Sequence, residues 1–107
     1  MIFISKNENG EPAWQLVLEG RKTVTRRANP QPVGSMRAVC PGRGKKALGY
    51  IQILKCDLHM VCDYPTPESK QAEAEKEGFK GWEGLLEWFR THGGWPLCCY
   101  RIEFKLV

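Results

Sequence analysis

Apolar residues recur along this chain with two periods, near two and near three to four, and the switches between them outline its elements. MIFI (1–4) is a short apolar run and reads as a first strand. In EPAWQLVLEG (11–20), Ala13, Trp14, Val17 and Leu18 make one helical face. Pro12 suits the first turn of that helix and Gly20 its C-terminal cap. KTVTRR (22–27) is β-branched and reads as extended. ANPQPVGS (28–35) reads as a loop by its prolines and glycine, and MRAVC (36–40) as a short strand closed by the turn PGRG.

LGYIQILKC (48–56), rich in large aliphatics, is the clearest strand. DLHMVCDY (57–64) alternates, with Leu58, Met60, Cys62 and Tyr64 on one face, and reads as another. PTPESKQAEAEKEG (65–78) reads as a polar helix with Thr66 as cap, Pro67 in the first turn and Gly78 at its end. In GWEGLLEWFRTHGG (81–94), Trp82, Leu85, Leu86 and Phe89 form an apolar stripe at i, i+3, i+4 and i+7. LCCYRIEFKLV (97–107) reads as a closing strand with Tyr100, Ile102, Phe104 and Leu106 on one face. The expected order is β-α-β-β-β-β-α-α-β. Four strands in succession favour antiparallel pairing and exclude a doubly wound nucleotide-binding sheet. The expectation is an α+β, mainly β fold: a small barrel of about five to six mostly antiparallel strands with two to three helices on its rim.

A chain of 107 residues makes one domain with one core. No run approaches a membrane span, and MIFISKNENG (1–10) has too few apolar positions for a signal peptide, so the cytoplasm is the expected compartment. Five cysteines, an odd number with no C-x-x-C pair, argue against a disulfide framework and for small buried hydrophobes. Cys98 and Cys99 are adjacent, so a strand would point them to opposite faces. His59 and His92 lack partners at metal spacing, and no metal or cofactor is expected.

Charge changes the picture more than composition does. Between Glu19 and Asp57 there are nine Lys and Arg residues and no acid. Residues 57–87 hold eight acids against three lysines. The basic part suits a phosphate-bearing partner if it forms one surface; the acidic helices neutralise it if they fold back over it. Arg43, Lys45 and Lys46 form a glycine-flanked basic turn of the kind that contacts phosphates, or simply a solvated one. Trp82, Trp88 and Trp95 invite a base-stacking reading; Trp82 fits a core position by its spacing, whereas Trp95, before Pro96, is loop-placed and is the better candidate.

Several motifs together resemble a known family. They are the helix ending in Gly20-Arg21-Lys22-Thr23 and continuing to Thr25 and Arg27, then Glu77-Gly78-Phe79, and last the strand Tyr100, Ile102, Glu103, Phe104. In this order and spacing they resemble the ASCH domain, of the PUA-like barrel superfamily. The resemblance implies a barrel with a cleft beside the first helix that binds RNA or a modified nucleoside. One bacterial branch hydrolyses the acetyl amide of N4-acetylcytidine with a Lys, a Thr and a Glu, and those roles fall here on Lys22, Thr25 and Glu77. Where the family usually has Gly-Asp, this chain has Gly34-Ser35.

Amide hydrolysis needs a nucleophile, a base and a stabilised oxyanion. Thr25 can be the nucleophile if Lys22 loses its proton near neutrality, which burial and neighbouring cations favour and Glu77 opposes. Glu77 can orient the lysine or carry a proton to the leaving amine. On a regular strand Lys22 and Thr25 would point to opposite faces, so the chemistry requires a bend near Thr23. Arg21, Thr23, Arg26 and Arg27 are the neighbouring candidates for substrate contact, Arg27 foremost. Two readings share this cleft: an amidohydrolase of an N-acylated cytidine, and an RNA-binding module without chemistry. A metal-assisted ribonuclease is a weaker third.

Overall fold

The computed structural model describes residues 1–92 and 99–107. Its elements are α1 (Ala13–Leu18), β1 (Val24–Arg27), β2 (Met36–Val39), β3 (Gly49–His59), a 3-10 turn (Val61–Asp63), α2 (Pro67–Lys76), α3 (Trp82–Thr91) and β4 (Cys99–Leu106). The strands form one antiparallel sheet in the order β1-β4-β3-β2. Among the described residues, no helix is long and apolar enough to cross a membrane.

The α+β, mainly β class is as expected from the pattern. Two details differ. The runs 48–56 and 57–64 make a single strand, β3, with a register irregularity between Ile53 and Lys55. Leu54 and Lys55 are therefore both exposed, and the strand continues instead of turning. The alternation from Leu58 to Tyr64 is not realised: Leu58 and Met60 are exposed, and Tyr64 is buried from beyond the strand and the 3-10 turn.

The second difference is that the sheet is open. MIFI contributes one parallel bridge, Ile2 to Cys40, beside β2 rather than a strand. On its other side, toward β1, the described contact is a side chain: Arg27 Nη2 donates to the Ile2 carbonyl at 2.8 Å. A guanidinium standing where a ladder would run keeps the two backbones apart. The gap it leaves is the candidate site.

The core is made by the inward positions of the sheet and by α1: Phe3, Val17, Val39, Ile51, Ile102 and Phe104 form one cluster. A smaller cluster, Ala74, Phe79 and Leu85, joins α2 to α3, with Trp82, Trp88 and Phe89 packed around it. α2 starts as expected: Thr66 and Ser69 cap each other reciprocally, and Pro67 follows. Gly78 ends it at φ +88°.

A side chain at Gly78 meets two obstacles. The backbone is left-handed, and a Cβ there would lie 2.8 Å from Cδ1 of the buried Leu16. At Gly34, φ is +86° but nothing lies within 4 Å. Gly34→Ala is expected to cost about 1 kcal/mol from backbone strain alone. Gly78→Ala should cost roughly 1–3 kcal/mol more, from overpacking. Urea denaturation of the two variants measures the difference; equal losses would show that Leu16 yields.

Candidate functional site

The segment 20–27 is where sequence and function meet. Gly20, at φ +75°, ends α1, and the amides of Arg21 and Lys22 both donate to the Leu16 carbonyl, at 2.8 and 3.1 Å. Thr23 is tied on both sides: its amide donates to Lys76 O and its carbonyl accepts from Phe104 N. β1 begins only at Val24, so Lys22 lies outside strand alternation. The bend that cooperation between Lys22 and Thr25 requires is therefore present. Both side chains, together with Glu77, line one pocket and are nearly inaccessible, at 5, 6 and 4 % exposure.

The pocket lies between the segment Ile2–Ser5 and β1, and Phe79, Trp88 and Phe89 wall it from the side of α3. Its volume is about 100 Å³. A cavity of roughly 150 Å³ takes benzene, so an acyl group can enter this smaller pocket, with the ring and the rest of any larger ligand at its mouth.

Register assigns the faces. Thr25 pairs with Ile102 and shares the core face, while Arg26 pairs with Arg101 on the opposite face, under α2. There α2 supplies two acids one turn apart. Arg26 donates to Glu73 at 2.6 Å, to Glu77 at 2.9 Å and to the Tyr64 hydroxyl at 2.8 Å. Arg101 donates to both oxygens of Glu73, at 2.5 and 3.2 Å. Burial lowers the Arg26 pKa, but Glu77, Tyr64 and Glu73 more than offset it and hold the guanidinium charged. Burial likewise raises Glu73, and Arg101 and Arg26 reverse that and keep its carboxyl below its ordinary value.

Lys22 is placed differently. Its Nζ donates to the carbonyl oxygens of Val24 at 2.8 Å and Glu77 at 2.9 Å, both backbone atoms. Burial depresses its pKa to about 8; the Glu77 charge opposes this, and Arg27 and Arg26 assist it. A neutral amine has two N–H donors and one lone pair. Two carbonyls use both donors and leave the lone pair to take a proton. Burial pushes the Glu77 carboxyl up, with Lys22 and Arg26 pulling it back. Arg27 also lines the pocket, stacked over Phe3 at 5.2 Å; burial lowers its pKa, and its Nε has no hydrogen-bond partner among the described residues.

Not every candidate converges. Arg21 is exposed and paired with Glu11 and Glu19, outside the pocket. Thr23 acts through its backbone and does not line the pocket. Arg43, Lys45 and Lys46 are exposed on the β2–β3 loop and, among the described residues, form no ion pair. Trp95 lies outside the described residues. The acidic helix does fold back over the basic stretch, at Lys22 and Arg26; the β2–β3 loop remains cationic. The sequence marks neither Glu73, Tyr64, Arg101 nor Phe89 as a site residue, and Trp88 only as one of three tryptophans open to stacking. The spacing of Glu73 and Glu77, i and i+4 on a polar helix, was the available signal, since two like charges on one face call for a cation.

No protein-family model matches the chain, and no curated protein does. Among solved structures it is similar to protein EF3133 from Enterococcus faecalis V583, described under the family model DUF984. The TM-score is 0.65 at 18% identity, over 99% of this chain and 74% of that one. At this identity the likeness concerns the fold.

The ion network predicts a sharp contrast within α2. Glu73→Ala takes from Arg101 the carboxylate it bonds twice and leaves Arg26 with Glu77 alone, and should cost about 3–5 kcal/mol. Glu75→Ala, on the exposed face, should stay within about 0.5 kcal/mol. Denaturant titration compares them, and similar small losses would mean that Arg26 and Arg101 find water instead.

Proposed function

We propose that this pocket receives the acyl group of an N-acylated nucleoside and hydrolyses its amide, as N4-acetylcytidine would present it. The observation that carries the reading is that Lys22, Thr25 and Glu77, each nearly inaccessible, line one small pocket. The resemblance of the G-R-K-T, E-G-F and closing-strand motifs to ASCH domains supports the ligand class. The three roles follow from the surroundings of each group. Lys22, in its neutral form, takes the Thr25 proton as the hydroxyl oxygen attacks the acyl carbon. The carbon–oxygen bond forms, the carbonyl π electrons move onto oxygen, and Arg27, a cation without a carboxylate among the described residues, faces that developing charge. Collapse of the intermediate breaks the carbon–nitrogen bond, and the leaving amine receives the proton held by Lys22, directly or relayed through Glu77, which makes Lys22 neutral again. Water then cleaves the acyl-threonine ester by the same base, which returns Thr25 and releases the acid.

Purified protein should release acetate from N4-acetylcytidine. Lys22→Ala and Thr25→Ala should each lower the rate by about 10²–10⁴-fold. The rate should rise with pH and level off above about 8, where the Lys22 amine is neutral. A parent protein that binds the nucleoside but releases no acetate would leave a binding pocket without chemistry.

A second reading has its own support. The exposed cations Arg43, Lys45 and Lys46 suit an RNA backbone. An RNA-binding module should lose affinity steeply with salt, and replacing these three by Ser should flatten that slope by about three contacts. Salt-independent or absent binding of a single-stranded oligonucleotide would remove it.

A further inference from the structure

α3 carries the pocket's aromatic wall, yet it is lightly anchored. Of its ten residues only Leu85 is fully buried, and it belongs to the small cluster with α2 rather than to the main core. Its N-cap is Gly81, which has no side chain to cap the first turn. The cap comes from the far end of the chain. The Glu8 carboxylate accepts from the Lys80 amide at 2.8 and 3.0 Å and from the Gly81 amide at 3.1 Å. Glu8 occupies the tip of a turn held by Asn7, whose Oδ1 accepts from the amides of Asn9 and Glu11 and whose Nδ2 donates to Gly78 O. That turn follows directly on residues 2–5, the opposite wall of the pocket.

Gly84 is explained by the same contact. It has ordinary helical backbone, so nothing in its conformation requires glycine. A Cβ at 84 would overlap the Glu8 carboxylate. A helix-weakening residue is thus kept in the first turn of α3 where it makes room for Glu8.

We propose that Glu8, seated in the notch at Gly84, is a latch that holds α3 closed over the pocket and fixes Trp88 and Phe89 as its wall, and that release of this latch admits ligand. The latch ties together the two walls between which Lys22 and Thr25 lie. It builds on the reading of the pocket as a ligand site, but its test needs no substrate.

Glu8→Ala removes the carboxylate. Gly84→Ala leaves Glu8 intact and expels it from the notch. Two chemically unrelated changes should therefore give one phenotype. Two readouts follow it: hydrogen exchange of the α3 amides, and the labelling rate of Lys22 by a small amine-reactive reagent, read by mass spectrometry. Each single variant should raise both by about tenfold, the scale of a lost helix cap. The double variant should add nothing further, and Glu8→Gln, which keeps an acceptor oxygen, should recover most of the protection. The β3 and β4 amides serve as an internal reference and should not change. Unchanged Lys22 labelling in Glu8→Ala would overturn the latch. So would additive effects in the double variant, or a parallel rise in the β3 and β4 amides, which would make Glu8 part of global stability alone. Failure to hydrolyse N4-acetylcytidine would not touch the latch, because neither readout involves that reaction.

Discussion

Arg26 is the side chain on which the arrangement of this protein turns. It leaves the outer face of β1 and is received by two carboxylates of α2, with its own side chain 2 % exposed and theirs 6 and 4 %. Burying such charges costs several kcal/mol per ion before the pairing is counted. An apolar contact between helix and sheet would hold α2 as firmly. What the ions add is position: Arg26 can bond Glu73 and Glu77 together only when α2 stands at one height and one rotation above β1. That placement puts the end of α2, and so Glu77, against Lys22. Arg101, one strand over, shares Glu73 and makes the placement hold across β1 and β4.

The opening in the sheet is the second constraint. A closed barrel would have given the first residues a strand's worth of backbone bonds on both sides. Here they bond β2 on one side and meet a guanidinium on the other. The space beside Arg27 is small, with Phe3 and the α3 aromatics among its walls. Pocket and imperfect closure are one feature.

Most elements were legible because their signals are local. Pro12, Gly20, Thr66, Pro67 and Gly78 mark helix ends through one residue's own conformation, and each does so here. The division of β3 was misread for the same reason: Lys55, Cys56 and Asp57 look like a break, but a bulge absorbs the change of face and cross-strand bonds to β4 carry the strand on. No local pattern records those bonds. The candidate triad was legible through motif resemblance and not through periodicity, which would have put Lys22 and Thr25 on opposite faces. Arg101 was invisible: as an alternate residue of a closing strand it should face water, and only the return of α2 over the sheet buries it. Trp88, spaced i+3 from Leu85, follows the helical rule, but its place at a pocket depends on the N-terminal segment lying opposite.

The charges around the pocket explain why the Lys22 pKa is lowered, to about 8, with a glutamate beside it. Two carboxylates, Glu73 and Glu77, face four basic groups: Arg26, Arg101, Arg27 and Lys22. The two guanidinium groups at bonding distance, Arg26 and Arg101, take both carboxylates. Lys22 bonds the backbone of Glu77, and the carboxylate acts on it only through space. Arg27 nearby, with no carboxylate of its own among the described residues, makes a second positive charge unfavourable. Burial then acts against an ammonium ion that has only neutral acceptors. If Arg26 were absent, Glu77 would be free to pair with Lys22 and hold it protonated. Arg26 thus acts on the lysine through the glutamate it occupies, and the same buried pair that orients α2 keeps the amine able to accept a proton near neutral pH.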